Sequence, residues 1–138
     1  MAEVKNIFDI AGRSMAAQMV RLNTVASNLA NAGVVTGDKK SAYRAIKPVF
    51  ETKFADALKR TGVSTVDVAE VKTVLREPER VFMPSHPEAD EQGYVFRAAV
   101  DENEEMVEML EASRQYQNNV EVVSTLRSLM MRTISMGK

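Results

Sequence analysis

The side chains best suited to metal chemistry lie in one proline-containing loop, residues 84–93. His86 is the only histidine of the 138 residues, and Glu88 and Asp90 follow it at two-residue steps. Imidazole and carboxylate groups bind divalent metals, but a stable site needs its ligands held in place by the fold. The prolines and glycine of this stretch are typical of a turn-rich surface loop. We therefore expect solvated side chains here and no metal site.

Hydrolytic or phosphate chemistry has less support. Ser41 or Ser85 could be combined with His86 into a triad on paper, but the chain lacks the Gly-x-Ser-x-Gly turn that exposes a nucleophile. Gly33 and Gly37 lack the spacing and the Lys-Ser/Thr ending of a phosphate-binding loop. The absence of cysteine excludes a thiolate nucleophile, a cysteine metal site and a disulfide. We expect a protein that is not an enzyme and needs no cofactor.

Six acidic residues lie between Asp101 and Glu111. They could bind calcium or a basic partner, but they stand where a long helix is predicted to begin, and the helix dipole accounts for negative charge there. The net charge is −1 and the basic residues form no stripe, so we expect neither nucleic acid nor an anionic membrane as a partner. No apolar run is long enough for a signal-peptide core or a membrane span, which predicts no direct membrane insertion.

Four asparagines are harder to explain. Asn28 and Asn31 lie at the end of one predicted helix, and Asn118 and Asn119 lie in the middle of another. Asparagine is a poor helix former, so amides in these places indicate specific hydrogen bonds, of the kind that fixes register in a coiled coil. A solvated helix face is the alternative, and the spacing alone does not decide between them.

The residues from Asp101 to Met136 predict one helix of about 35 residues. Asp101 can cap it, Glu104 has the capping-box spacing, and Gly137 follows the last apolar residue. Apolar residues recur at three- and four-residue steps, namely Met106, Met109 or Leu110, Tyr116, Val120, Val123, Leu126, Met130 and Ile134. At roughly 50 Å, this helix exceeds the diameter of roughly 37 Å expected for a compact domain of this length. Its apolar stripe therefore needs cover from outside the chain's own small core.

A second long amphipathic helix is predicted from about Glu3 to Ala32, ending at Asn31 and Gly33. Its heptad positions are Val4, Phe8, Ala11, Met15, Gln18, Leu22, Val25, Leu29 and Ala32. More than four heptads with one polar position favour a coiled-coil-like packing. The two helices could bury each other as an antiparallel hairpin, or they could pack against helices of neighbouring subunits. The pattern leaves both readings open.

The middle of the chain, residues 34–100, changes to short alternating runs broken by glycine and proline. Strands are predicted at Tyr43–Phe50, Val63–Leu75, Val81–Met83 and Tyr94–Phe96. Pro48 restricts the first strand to an edge, and a slip in the alternating phase predicts a bulge near Ala69–Glu70. Residues 37–40 read as a polar loop, and Glu51–Arg60 is ambiguous between helix and strand.

The predicted fold class is α+β, mainly α, with long terminal helices forming a coiled-coil-like stalk and a small β-rich central module. Residues 1–33 form the N-terminal assembly helix, 34–100 the β-rich region with extended loops, and 101–138 the C-terminal assembly helix. We expect 1–33 and 101–138 to pack together as one helical domain.

The stretch RLNTVASNLANA at 21–32 resembles the N-terminal signature of the axial rod and hook proteins of the bacterial flagellum. Three further stretches resemble a rod member of that family: KPVFE at 47–51; PSHPEAD at 84–90 with GYV at 93–95; and EEMVEM at 104–109 with EASRQYQNNVEV at 111–122. The resemblance covers both termini and the central loop.

This resemblance implies a structural subunit of the proximal rod in the periplasm, which polymerises through its terminal helices and transmits motor torque toward the hook. It implies export through the flagellar type III apparatus without a cleaved signal peptide. The implied partners are other copies of the chain, the rod proteins FlgB, FlgF and FlgG, and the rod-base adaptor FliE.

The predicted assembly interface combines the apolar stripes with the four amides. Its residues are Val4, Phe8, Met15, Leu22, Val25, Asn28, Leu29, Asn31, Tyr116, Asn118, Asn119, Val120, Val123, Met130 and Ile134. The competing hypothesis is a self-contained helical hairpin that serves as a soluble adaptor for a single partner.

Overall fold

The computed structural model describes residues 2–53 and 65–137 and has an α+β architecture. Its elements are α1 (Ala2–Asn31), β1 (Val35–Thr36), β2 (Ile46–Lys53), β3 (Thr65–Thr73), β4 (Glu79–Phe82), β5 (Tyr94–Arg97) and α2 (Glu102–Met136). The α+β class is confirmed, with about half of the chain helical rather than a clear helical majority. Most of the ambiguous segment Glu51–Arg60 lies outside the described residues. Within the described ranges, no helix is long and apolar enough to cross a membrane.

Both ends of α2 follow from local sequence. The side chain of Asp101 accepts the backbone N–H groups of Asn103 and Glu104 at 3.0 and 3.1 Å, which confirms the predicted cap. The Glu104 carboxylate, at the capping-box position, accepts hydrogen bonds from the side chains of Lys47 and Arg76. At the other end Gly137 closes the helix with a φ of −86°, its N–H donating to two carbonyls of the last turn.

The two helices pack against each other in antiparallel directions. The Asn28 amide donates to Glu105 at 3.0 Å, and fourteen residues away on each helix the Asn119 amide donates to the Ser14 hydroxyl at 2.8 Å. Equal spacing on both helices means that the register is kept over about four turns. Arg21 donates to Glu108 between these two contacts. Of the two arrangements that the sequence leaves open, the single chain has the antiparallel contact between its terminal helices.

Within residues 2–53 and 65–137, the five strands form two separate antiparallel sheets. One has the order β1-β5-β4, and the other is the ribbon β2-β3. Val49 pairs with Glu70 but the next residue, Phe50, pairs with Val68, so Ala69 is the extra residue of a bulge, as predicted. Pro48 pairs within the ribbon, where each strand is an edge and a missing N–H is tolerated.

Small side chains dominate the core. Its buried apolar residues are Ala11, Ala17, Val25, Ala32, Ala42, Ala45, Val95, Ala98, Ala99 and Ala112. Alanine lets backbones approach closely but removes little apolar area from water, and hydrophobic stabilisation scales with that area. Many larger apolar side chains of the described residues remain exposed instead, among them Phe82, Leu110, Met131 and Ile134.

The central loop is closed onto β1 by a backbone contact that only glycine allows. A Cβ on Gly37 would lie 2.5 Å from the carbonyl oxygen of Glu88. Gly93, the last residue of the loop, has a φ of +81°, a conformation that disfavours any other residue. The loop is therefore constrained in its middle, at Glu88, and at its end, at Gly93.

Candidate assembly surface

The residues first considered for metal binding shape their own loop. The ring Nδ1 of His86 accepts the backbone N–H of Glu88 at 3.2 Å. The Asp90 carboxylate accepts the N–H groups of Gln92 and Tyr94 at 2.9 and 2.8 Å. Among residues 2–53 and 65–137, no three acidic or histidine side chains are grouped to hold a metal ion.

The base of the same loop is a charged and aromatic cluster. The N–H of Tyr94, then that of Gln92 and the guanidinium of Arg80, hold the pKa of Asp90 below its ordinary value. The Arg80 guanidinium also lies 3.9 Å from the centre of the Tyr94 ring, which meets Phe82 edge-to-face at 5.1 Å. The loop is thus anchored from several directions.

Asn28 is the polar centre of the molecule, and its side chain is fully buried. Its oxygen accepts the Ile46 N–H and the Tyr43 hydroxyl, both at 2.9 Å, while its amide donates to the Ile46 carbonyl at 2.9 Å and to Glu105 at 3.0 Å. A carboxamide has two donors and two lone pairs, and all four are used within the chain. Asn28 therefore fixes the register of α1, β2 and α2, and has no hydrogen-bonding capacity left for a neighbouring subunit.

The other three amides have different environments. Asn31 donates at 2.8 Å to the carbonyl of Ser27, one turn back in its own helix. Asn119 bonds across to Ser14 of α1. Asn118, by contrast, is exposed on α2. Of the four, Asn28 and Asn119 set the register of the two helices within the chain, and Asn118 faces solvent.

Ion pairs account for much of the acidic run at the start of α2. Hydrogen bonds from Lys47 first and from Arg76 second, the latter at 2.9 Å, hold the pKa of Glu104 below its ordinary value. Arg21 pairs with both Glu108 and Glu111, which are three residues apart and so share one face of the helix. Lys47, Arg76 and Arg21 therefore hold the start of α2 against the rest of the chain, a role that the sequence alone did not indicate.

Most of the predicted interface residues lie against the rest of the chain. Phe8, Met15, Leu22 and Leu29 are half-buried, Val25 is buried, and on α2 Tyr116, Val123 and Met130 are half-buried. The α2 residues share a stripe with Asn119, which bonds to α1. Val120 and Ile134 are 45% and 55% exposed. The side chain of Val4 lies outside the described residues.

A different stripe of α1 faces outward. Its residues on the helix are Gly12, Ala16, Met19, Asn23, Ala26 and Ala30, the same spacing continues to Gly33 just past the helix end, and all seven are exposed. They follow alternating four- and three-residue steps, carry no charge, and are called here the outer stripe. A Cβ placed on Gly12 or Gly33 would meet no atom within 4 Å. In the sequence, the small residues Ala16, Ala26 and Ala30 already indicate room for the close approach of another helix, but they do not show that this face stays exposed when the chain has folded.

Two long antiparallel helices, a small β region and an open, uncharged helix face define a structural subunit whose main surfaces are helical. Comparison with known proteins gives the same class. The family model described as flagella basal body rod protein matches residues 8–37, and the one described as flagellar basal body rod FlgEFG protein C-terminal matches residues 91–136.

Three curated relatives share a single name. The flagellar basal-body rod proteins FlgC of Escherichia coli O6:H1 and of Salmonella typhimurium LT2 are each 46% identical over 134 residues, covering 96% of this chain and 97% of theirs. The FlgC protein of Aquifex aeolicus is 34% identical over the full length of both chains. The chain therefore belongs to the FlgC family of flagellar basal-body rod proteins.

Family membership confirms the resemblance carried by the motifs at 21–32, 47–51, 84–95 and 104–122. It places the chain in the rod of the flagellar basal body, in a structural role, associated with other flagellar rod components.

Proposed function

We propose that the chain polymerises through its terminal helices in the proximal rod and transmits motor torque toward the hook. The observation that carries this proposal is the outer stripe of α1, which stays open when the chain has folded. A rod subunit needs such a face because it must contact neighbours as well as complete its own core.

The outer stripe has the properties of a helix-packing surface. From Gly12 to Ala30 it runs for roughly 27 Å along the helix axis. Glycine and alanine allow an incoming helix to approach closely, toward the short end of the usual 8–10 Å axial separation. Burial of an uncharged stripe also avoids the cost of removing charges from water. We propose that a neighbouring helix covers it, so that α1 packs against a helix of another subunit in addition to α2.

The predicted interface residues then have two roles. Those that are half-buried on α1 and α2 hold the two helices together, so that the pair enters the assembly as one unit. The exposed ones, Asn118, Val120 and Ile134, remain available to neighbours. We propose accordingly that the chain is divided into two assembly helices, residues 1–33 and 101–138, around the β-rich region of residues 34–100.

The proposed partners are other copies of the chain, the rod proteins FlgB, FlgF and FlgG, and the rod-base adaptor FliE. The proposed location is the periplasmic part of the rod, reached through the type III export apparatus without cleavage of a signal peptide. Membership of the rod family supports both statements.

A charge placed on the outer stripe tests the proposal. Ala26→Arg puts a long charged side chain on the stripe while keeping helix propensity nearly unchanged. Ser128→Arg is the matched control, because Ser128 is exposed on α2 outside that stripe. In a strain whose chromosomal copy is deleted, we expect Ala26→Arg to abolish rod assembly and swimming and Ser128→Arg to preserve both. Normal motility of both variants would contradict the proposal.

The antiparallel contact between α1 and α2 also fits a second candidate function, that of a self-contained hairpin adaptor for one partner. Circular dichroism and light scattering across a wide concentration range separate the two. A rod subunit gains mass as the concentration rises. An adaptor remains a fully helical monomer that melts cooperatively at every concentration.

A further inference from the structure

A cavity of about 370 Å³ lies between α1, β2 and α2 and contains a buried carboxylate. Its apolar walls are the side chains of Val25, Ile46, Pro48 and Phe50, and Glu105 of α2 also lines it. Phe50 is 40% exposed, so the cavity can be reached from solvent on the side of β2. Apolar walls with a few placed polar groups are typical of a binding site.

Only one oxygen of the Glu105 carboxylate has a partner among the residues that the structure describes. Asn28 donates to that oxygen at 3.0 Å, and Glu105 as a whole is 2% exposed. The other oxygen accepts no hydrogen bond from residues 2–53 and 65–137, and no cation of those ranges forms an ion pair with Glu105. Carboxylates are almost never fully buried unless they are paired, because an unpaired buried charge is costly. Glu105 therefore lacks a cation.

The basic residues around the cavity are engaged elsewhere. Arg21, Lys47 and Arg76 are each paired with a carboxylate other than Glu105. Arg76 also feels the charge of Glu105, but its guanidinium donates to Glu104 at 2.9 Å. These three basic residues are grouped with four carboxylates, namely Glu104, Glu105, Glu108 and Glu111. The group therefore has one negative charge in excess, which matches the one unpartnered carboxylate oxygen.

We propose that the cavity binds the arginine side chain of a neighbouring subunit of the rod, with its guanidinium on Glu105. This inference rests on the proposed function and adds a contact that the outer stripe does not make. A guanidinium is weakly hydrated and has five N–H donors, which suits it to a buried pair with a carboxylate. The aliphatic stem of the arginine then lies against the apolar walls, and no charge remains unpaired.

A metal ion fits the cavity less well. Calcium and magnesium take six or more oxygen ligands, whereas Glu105 offers one free oxygen and Glu108 is held by Arg21 at 2.8 Å. Within the described ranges, no three acidic or histidine side chains are grouped for a metal ion. A neutral apolar molecule would cover the walls but leave the charge of Glu105 without a partner. An organic cation with an aliphatic stem satisfies both the carboxylate and the walls.

Two matched small molecules test the cavity on the full chain. N-acetyl-L-arginine amide carries the guanidinium, and N-acetyl-L-citrulline amide has the same stem with a neutral urea group. In NMR titrations at low protein concentration, we expect the arginine compound to shift the amide signals of Val25, Ile46 and Glu105 with a Kd on the order of 1 mM. The citrulline compound should bind at least about tenfold more weakly. Equal binding of the two compounds, or no binding of the arginine compound, would overturn the proposal.

A pair of variants assigns the charge. Glu105→Gln removes it and keeps a carbonyl that can accept the Asn28 amide, and we expect at least about tenfold weaker binding of the arginine compound. Glu121→Gln makes the same change of charge at an exposed position of α2 outside the cavity and should bind as the wild type does. Unchanged binding by Glu105→Gln would refute the site. If Glu105→Gln does not fold, the two compounds compared on the wild type still decide.

Motility identifies the source of the side chain and separates this contact from the outer stripe. In the deletion strain, a folded Glu105→Gln protein should lose swimming, and Glu121→Gln should keep it. If Glu105→Gln has lost the binding but swims normally, the cavity takes a free small cation only, and docking of a neighbouring subunit is overturned. If Ala26→Arg swims normally while Glu105→Gln does not, the role of the outer stripe is refuted and the cavity contact stands.

Discussion

The side chain of Asn28 pairs with Ile46 as a neighbouring β-strand would. Its oxygen accepts the Ile46 N–H and its amide donates to the Ile46 carbonyl, each at 2.9 Å. The amide also reaches the buried carboxylate of Glu105 on α2. One side chain of α1 thereby closes the edge of β2 where that strand begins and holds the second helix in place.

Replacement of Asn28 by alanine should strongly destabilise the monomer. The Ile46 N–H and carbonyl and the Glu105 carboxylate would lose a partner in a site with little access to water, and we expect a loss of about 3 kcal/mol or more in the free energy of unfolding. Urea denaturation at low protein concentration measures it. Asn118→Ala, at an exposed amide on α2, should change stability by less than about 0.5 kcal/mol. Similar midpoints for the two variants would refute the central role of Asn28.

The ion pairs of Glu104 predict a pH dependence of stability. Lys47 and Arg76 hold the folded pKa of this carboxyl below its ordinary value of 4.5. Its contribution is therefore complete above the ordinary pKa and is lost as the pH falls through the lower folded pKa. Since the side chain is more than a third exposed, solvent screening limits the contribution to less than about 1 kcal/mol. Glu104→Gln should flatten the stability curve below pH 4.5 in thermal melts, whereas Glu91→Gln, at an exposed loop position, should leave its slope unchanged.

Two glycine-to-alanine changes should have opposite effects. In Gly37→Ala the new methyl group would lie 2.5 Å from the Glu88 carbonyl oxygen, so the backbone must move, at a cost of about 1–3 kcal/mol. In Gly12→Ala the methyl group meets nothing, and helix propensity should add about 1 kcal/mol of stability. Chemical denaturation of both proteins gives the comparison. A Gly37→Ala protein as stable as the wild type would mean that the loop does not approach β1 so closely.

The sequence by itself determined the features that depend on near neighbours. The cap at Asp101 and the end of α2 at Gly137 involve groups within one helical turn, so the residue types are sufficient to place them. The bulge at Ala69 was visible as a slip in the alternation of the strand, because side-chain direction reverses at every residue. The family could also be recognised from the sequence, since the motifs at 21–32 and 104–122 are long runs that can be compared without a structure.

Only the tertiary structure decided which groups meet across long stretches of chain. The Asn28 side chain is hydrogen-bonded to Ile46 and Glu105, which lie 18 and 77 residues away in the sequence. Nothing in the sequence next to an asparagine specifies a partner at such a separation. The same limit applies to the helix faces. The heptad stripe and the outer stripe of α1 both repeat at three- and four-residue steps, so periodicity shows that each can pack against something. Which one the chain covers itself depends on where β2, β3 and α2 come to lie, and that placement leaves the outer stripe facing solvent.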